Sequence, residues 1–244
     1  MSSKASNAYC TNFHPEYSRS TLKCQNYRGK ERDIFIWGDS HAHHLIAGFS
    51  ELYVNHNIYV MWDGGCMSQV GTDGFLWRSE AKEAACIKRN KKALEFLSTH
   101  PKSHVIISNA KRKKPAELAG PTNTLVAKLK QFGHTPIVVG DFIRPGVSLV
   151  KCAAVPRFIF TDERLKRRCV GRSGIGRREI TYNNELAKLV DLRDGAKVQC
   201  DDKGKCDFFH DGVPMFWDDH HLSVDGSIRL VRLLRHELGI QVKY

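Results

Sequence analysis

The hydrophobic patterning of this chain predicts an α/β fold, a three-layer α/β/α sandwich around a central parallel sheet. Three observations carry that prediction. From residue 33 onward, short runs rich in β-branched and aromatic residues alternate with longer stretches of helical apolar period, the order of strands joined by crossover helices. Ser40 and Asn109, both capable of chemistry, directly follow two of those runs, where open parallel sheets take their ligands. With 244 residues, 41% of them hydrophobic, the chain can bury one sizeable core and needs no second domain.

Residues 1–32 are polar, with Asn, Ser, Tyr and Lys, and read as a linker or N-terminal extension tied down by Cys10 and Cys24. The first strand is expected at 33–37, followed by a helical period over 42–54 in which Leu45, Phe49 and Leu52 recur on one face. Strands at 58–62, 104–108 and 136–140 alternate with helices at 80–98 and 117–132. A helix over 179–192, a weaker strand near 196–199 and a helix over 223–238 complete the order. Residues 33–244 therefore read as a single domain without internal repeats.

Within this frame, Gly38-Asp39-Ser40-His41 places Ser40 at a strand-to-helix turn. Free backbone N–H groups and the helix dipole favour a developing negative charge there. A serine needs a base to act as a nucleophile at neutral pH, and the base needs an orienting carboxylate. Asp218 and His221, in the segment Asp218-Asp219-His220-His221-Leu222-Ser223, supply both from one turn. Asp39 reads as a support that holds the nucleophile turn through backbone hydrogen bonds. His41, His43 and His44 raise the question of a metal, but no second cluster with zinc spacing accompanies them. Nothing calls for a metal or organic cofactor.

The eight cysteines fall into local couples, Cys10/Cys24, Cys66/Cys86, Cys152/Cys169 and Cys200/Cys206. About 105 pairings are open to eight cysteines, local pairing being the simplest. Zinc knuckles are absent, so disulfides and an oxidising compartment are expected. A bridge closing a loop the size of 152–169 adds roughly 3 kcal/mol on the chain-entropy model. No apolar run approaches the roughly 18 residues of a membrane span, and the N-terminus lacks a signal-peptide core. Disulfides without an export signal lead to the expectation of a soluble portion of a longer membrane protein.

The formal charge of +12 is concentrated at Lys88-Arg89-Asn90-Lys91-Lys92, Lys111-Arg112-Lys113-Lys114, Arg164 to Arg172 and Arg177-Arg178. Each cluster alone fits a solvated helix face or loop. Together they favour an anionic membrane surface or an acidic glycan. Nucleic acid is not expected as a partner, because no nucleic-acid-binding motif is present.

The Gly38-Asp39-Ser40-His41 and Asp218-x-x-His221-Leu222-Ser223 blocks, with Gly226 after the second, resemble the SGNH (GDSL-like) hydrolase superfamily. The likeness is closer to the periplasmic SGNH domain of bacterial acyltransferase family 3 membrane proteins, and it spans roughly residues 33 to 244. The strand Thr135-Pro136-Ile137-Val138-Val139-Gly140 and its cysteine-bearing loop are similar to that group as well. The resemblance implies an SGNH/flavodoxin-like fold and a Ser40, His221, Asp218 triad, in preference to Asp219 and His220. It supports the last three cysteine couples. It also implies an oxyanion hole built from the Ser40 N–H, Gly64 or Gly65, and Asn109, although either glycine fits a plain turn and Asn109 fits a cap of the next turn. The expected activity is O-acylation, of the O-acetylation kind, of a cell-surface glycan such as O-antigen or lipooligosaccharide. The acyl donor would come from a membrane acyltransferase domain, on the periplasmic side of the inner membrane. A free-standing carbohydrate acetylesterase and a non-catalytic glycan-positioning module are the alternatives.

Overall fold

The computed structural model describes residues 10–12, 21–24, 31–71, 79–110, 113–152, 161, 164–165, 168–169, 177–200 and 206–241. Seven strands form its central sheet: β1 (Cys10–Asn12), β2 (Thr21–Cys24), β3 (Ile34–Gly38), β4 (Ile58–Trp62), β5 (His104–Ser108), β6 (Thr135–Val139) and β7 (Leu192–Arg193). They lie in the order β1-β2-β4-β3-β5-β6-β7. The strands from β4 to β7 in that order are parallel neighbours. β2 and β1 extend the β4 edge antiparallel, so two strands of the 1–32 segment join the sheet. A small hairpin, β8 (Phe209–His210) and β9 (Val213–Pro214), stands apart.

The helices are α1 (Ser40–His44), α2 (Ile46–Leu52), α3 (Glu80–Thr99), α4 (Pro115–Gln131), α5 (Leu149–Cys152), α6 (Arg177–Ala187), α7 (Gly195–Val198) and α8 (Val224–Leu238). Alternation along the strands divides the core into two layers. Ile34, Ile36, Val60 and Ile106 pack with Phe49 of α2 and Leu230, Val231 and Leu234 of α8. Phe35, Trp37, Val105 and Ile107 pack with Ala93 and Leu97 of α3 and Leu125 and Leu129 of α4. The sheet is thus covered on both faces, as the expected sandwich requires. Among the described residues, no helix is long and apolar enough to cross a membrane.

Three expected elements differ. The strand near 196–199 is instead helix α7, because Asp194 caps it by accepting the Ala196 and Lys197 N–H groups at 2.9 and 3.1 Å. The strand sits earlier, at Leu192–Arg193, and the preceding helix ends at Ala187. The helical period over 42–54 is two helices meeting at Leu45, whose N–H bonds back three residues to Ala42.

Disulfides join Cys66 to Cys86, Cys152 to Cys169 and Cys200 to Cys206. Cys10 stands opposite Cys24 in the β1–β2 register; their side chains lie outside the described residues. Gly38 is level with Trp62 and Ser108, and Ser108 with Val139. The chain therefore leaves β3, β4, β5 and β6 along one edge, at Asp39, Asp63, Asn109 and Gly140.

Candidate active site

At that edge, β3 turns into α1 through Gly38. A Cβ on Gly38 would lie 1.8 Å from the Ser108 carbonyl oxygen, so the paired backbones leave room for glycine alone. Asp39 is fully buried and caps α1. Its Oδ1 accepts the His41 N–H at 2.8 Å, and its Oδ2 accepts the Ala110 N–H at 3.0 Å. Ser40 follows at the first helical position, half-buried.

Asp218 and His221 come from a tight loop before α8. Trp217 N–H donates to His221 O at 2.7 Å, and Ser223 N–H donates to Met215 O at 2.9 Å, closing the loop at its base. Ser223 then caps α8 through the Gly226 N–H at 3.0 Å. Within the loop, Asp218 Oδ1 accepts the His220 and His221 N–H groups at 2.9 and 2.6 Å, and Oδ2 lies 2.5 Å from His221 Nδ1. A carboxylate only accepts, so the proton sits on Nδ1 and His221 Nε2 is left as the basic nitrogen. Asp219 instead pairs with His220, at 2.6 Å.

Ring contacts bring this loop to α1. Ser40 and His44 stand four apart on one helix face, and the His44 ring meets the His221 ring edge-on, centroids 4.5 Å apart. Among the described residues, no hydrogen bond links Ser40 to His221; such bonds often tighten only with substrate. His41 and His43 also lie on α1, with His43 against Trp62 at 4.1 Å.

The electrostatics favour a neutral base beside a charged carboxylate. Burial, joined by His220 and His41, lowers the His221 pKa from its ordinary 6.5 and outweighs the opposing pull of Asp218. Burial would raise the Asp218 pKa, but hydrogen bonds from the His221 ring and the His220 and His221 backbone lower it. His43 is pushed down to about 4 by burial and by His221. Burial, with the other histidines, holds His44 well below 6.5.

The other expected site residues are placed as follows. Gly65 is buried with φ 77°, at the third position of a turn closed by Cys66 N–H to Asp63 O at 2.9 Å, a conformation that favours glycine. Gly64 beside it is exposed. Asn109 leaves β5 and engages Ser68: its Oδ1 accepts the Ser68 N–H at 3.1 Å, and its Nδ2 donates to Ser68 Oγ at 3.0 Å. Buried Asn90 of α3 secures the same loop from below, donating to Met67 O at 2.8 Å. Asp218, His220 and His221 offer ligand atoms within 4.8 Å of one another, a spacing open to a cation.

Of the basic clusters, Arg89 turns inward to pair with Asp63 and Lys91 stands 4.0 Å from Glu95. Lys111 and Arg112 lie outside the described residues, as does most of 164–172. Sequence reasoning missed Ser68 and a buried His41–Asp141 contact of 3.0 Å. Asp141 carried a positional signal, since it follows the end of β6 at the ligand edge; Ser68 carried none.

A family model for the SGNH domain (fused to AT3 domains) matches residues 9–236. Among solved structures, the chain is similar to the periplasmic domain of the Salmonella ser. Paratyphi A lipopolysaccharide acetyltransferase. That match has a TM-score of 0.65 and 19% identity over 86% of this chain and 84% of the other, a likeness of fold. A candidate acylhydrolase from Bacteroides fragilis also aligns, with a TM-score of 0.46 and 12% identity over 88% and 92% of the two chains. No curated protein sequence matches.

Proposed function

The chain belongs to the family of SGNH domains fused to AT3 domains, and from that premise we propose that it is the periplasmic acyl-transfer domain of a carbohydrate O-acyltransferase. The observation that carries this reading is the Asp218–His221 pair packed against the helix face that Ser40 begins.

Ser40 Oγ attacks the carbonyl carbon of an acyl donor while His221 Nε2 takes its proton, and Asp218 holds the resulting imidazolium. The tetrahedral oxyanion is met by the Ser40 N–H, the Gly65 N–H and the Asn109 carboxamide. His221 returns the proton to the leaving group as the C–O or C–S bond to it breaks, leaving acyl-Ser40. A glycan hydroxyl then attacks, His221 removes its proton, and Ser40 is regenerated as the new ester departs. Water in place of the glycan gives esterase turnover. The donor arrives from a membrane acyltransferase domain at the periplasmic side of the inner membrane, and the acceptor is a cell-surface glycan. The basic cluster Lys111-Arg112-Lys113-Lys114, close after Asn109 in the chain, supplies positive charge for an anionic acceptor or lipid headgroup.

Acetate release from p-nitrophenyl acetate tests the reading, using the unsubstituted chain beside Ser40→Ala and His221→Ala. The expected result is loss of turnover in both variants; equal rates in all three would point to a glycan-positioning module.

A further inference from the structure

We infer that His41, held by the buried carboxylate of Asp141, is a positioning residue that backs the His221 base through His44 and keeps it ready to accept a proton. The inference rests on the roles given above to Ser40, His221 and Asp218.

Asp141 leaves the end of β6 and is 3% exposed. Its side chain lies 3.0 Å from His41 Nδ1 and also binds the Arg144 guanidinium. Its backbone is clamped by Asn183, which accepts the Asp141 N–H at 3.2 Å and donates to the Asp141 carbonyl at 2.7 Å. His41, 1% exposed, stacks on Phe142 with centroids 4.7 Å apart and stands 5.1 Å from the His44 ring. His44 in turn meets His221 at 4.5 Å. An unbroken row of rings therefore runs from Asp141 to Asp218.

Asp141 and His41 are both withdrawn from solvent, so neither touches a substrate. Withdrawing a carboxylate and an imidazole from water is costly, and the ring contacts that begin at His41 end at His221. The edge-on contact of His44 limits rotation of the His221 ring. Charged and titratable neighbours of His221 are Asp218, Asp219 and His220 on its own loop, and His41, His43 and His44 on α1. Of these, Asp218 favours its protonation, while His220 and His41 oppose it. Removing the His41 ring therefore raises the proton affinity of His221.

The test compares the chain with His41→Gln, which keeps a donor for Asp141 but cannot titrate, and His41→Phe, which keeps a ring against Phe142. With p-nitrophenyl acetate, the acidic limb of kcat/KM is expected to move up by roughly half to one pH unit, with kcat at pH 6 reduced several-fold and KM unchanged. NMR titration of the His221 imidazole in a Ser40→Ala background should show the same upward movement when His41→Gln is added. An unmoved His221 midpoint, or a pH profile superimposable on that of the parent in either folded variant, overturns the inference. Failure of the unsubstituted chain to show Ser40-dependent turnover would defeat the triad reading instead, and the NMR titration would still decide this one.

Discussion

Asp39 and Ala110 are joined across the carboxyl edge of the sheet: the Asp39 carboxylate accepts the Ala110 N–H at 3.0 Å while its other oxygen caps the helix that Ser40 begins. One buried side chain thus ties the turn that carries Ser40 to the loop that carries Asn109. Asp39→Ala leaves two buried N–H groups without an acceptor. It should destabilise the fold by about 1–3 kcal/mol and lower esterase kcat. Urea unfolding, read beside p-nitrophenyl acetate turnover, checks both effects.

The rising limb of the pH–rate profile should lie below pH 6.5, because burial holds the His221 pKa beneath that ordinary value. His221 must be neutral to act as base, so kcat/KM increases with pH through its lowered pKa and then levels. A limb centred above 6.5 in kcat/KM would contradict this assignment.

Stability should also fall on acidification. His43 and His104 are each pushed down to about 4 in the folded chain, first by burial, from an ordinary 6.5. Below 6.5 the unfolded chain takes up protons that the folded one refuses. Their contribution is therefore present above 6.5 and is lost as pH falls toward 4. Thermal melts across that window should show a steady decline in Tm, and His104→Gln should flatten part of it.

Gly226 illustrates why a motif residue is a glycine. A Cβ there would lie 1.9 Å from the Met215 carbonyl oxygen, where the first turn of α8 crosses the base of the Asp218–His221 loop. Gly226→Ala should cost more than about 2 kcal/mol and displace His221, so turnover falls together with Tm.

The Cys66–Cys86 bridge closes a 20-residue separation and fastens the Gly65 turn to α3. Replacing both cysteines by serine should remove about 3 kcal/mol, measured by urea unfolding. Reductant should then shift the doubly substituted chain less than the parent.

Much of this was legible in the residues themselves. Strands β3, β4, β5 and β6 announce themselves as short apolar runs, and Ser40, Asp218 and His221 stand in two short blocks whose turn and capping chemistry is local. The helix that replaces the strand expected near 196–199 is locally encoded as well, since Asp194 directly before it supplies the cap. Tertiary structure alone decided the rest. Strand register brings Asp141 to His41, a loop fold brings Ser68 to Asn109, and β2 pairs with the edge of β4. Periodicity and capping report what neighbouring residues do to one another. Contacts between distant segments depend on which strands align and how loops close, and no local pattern in the chain encodes them.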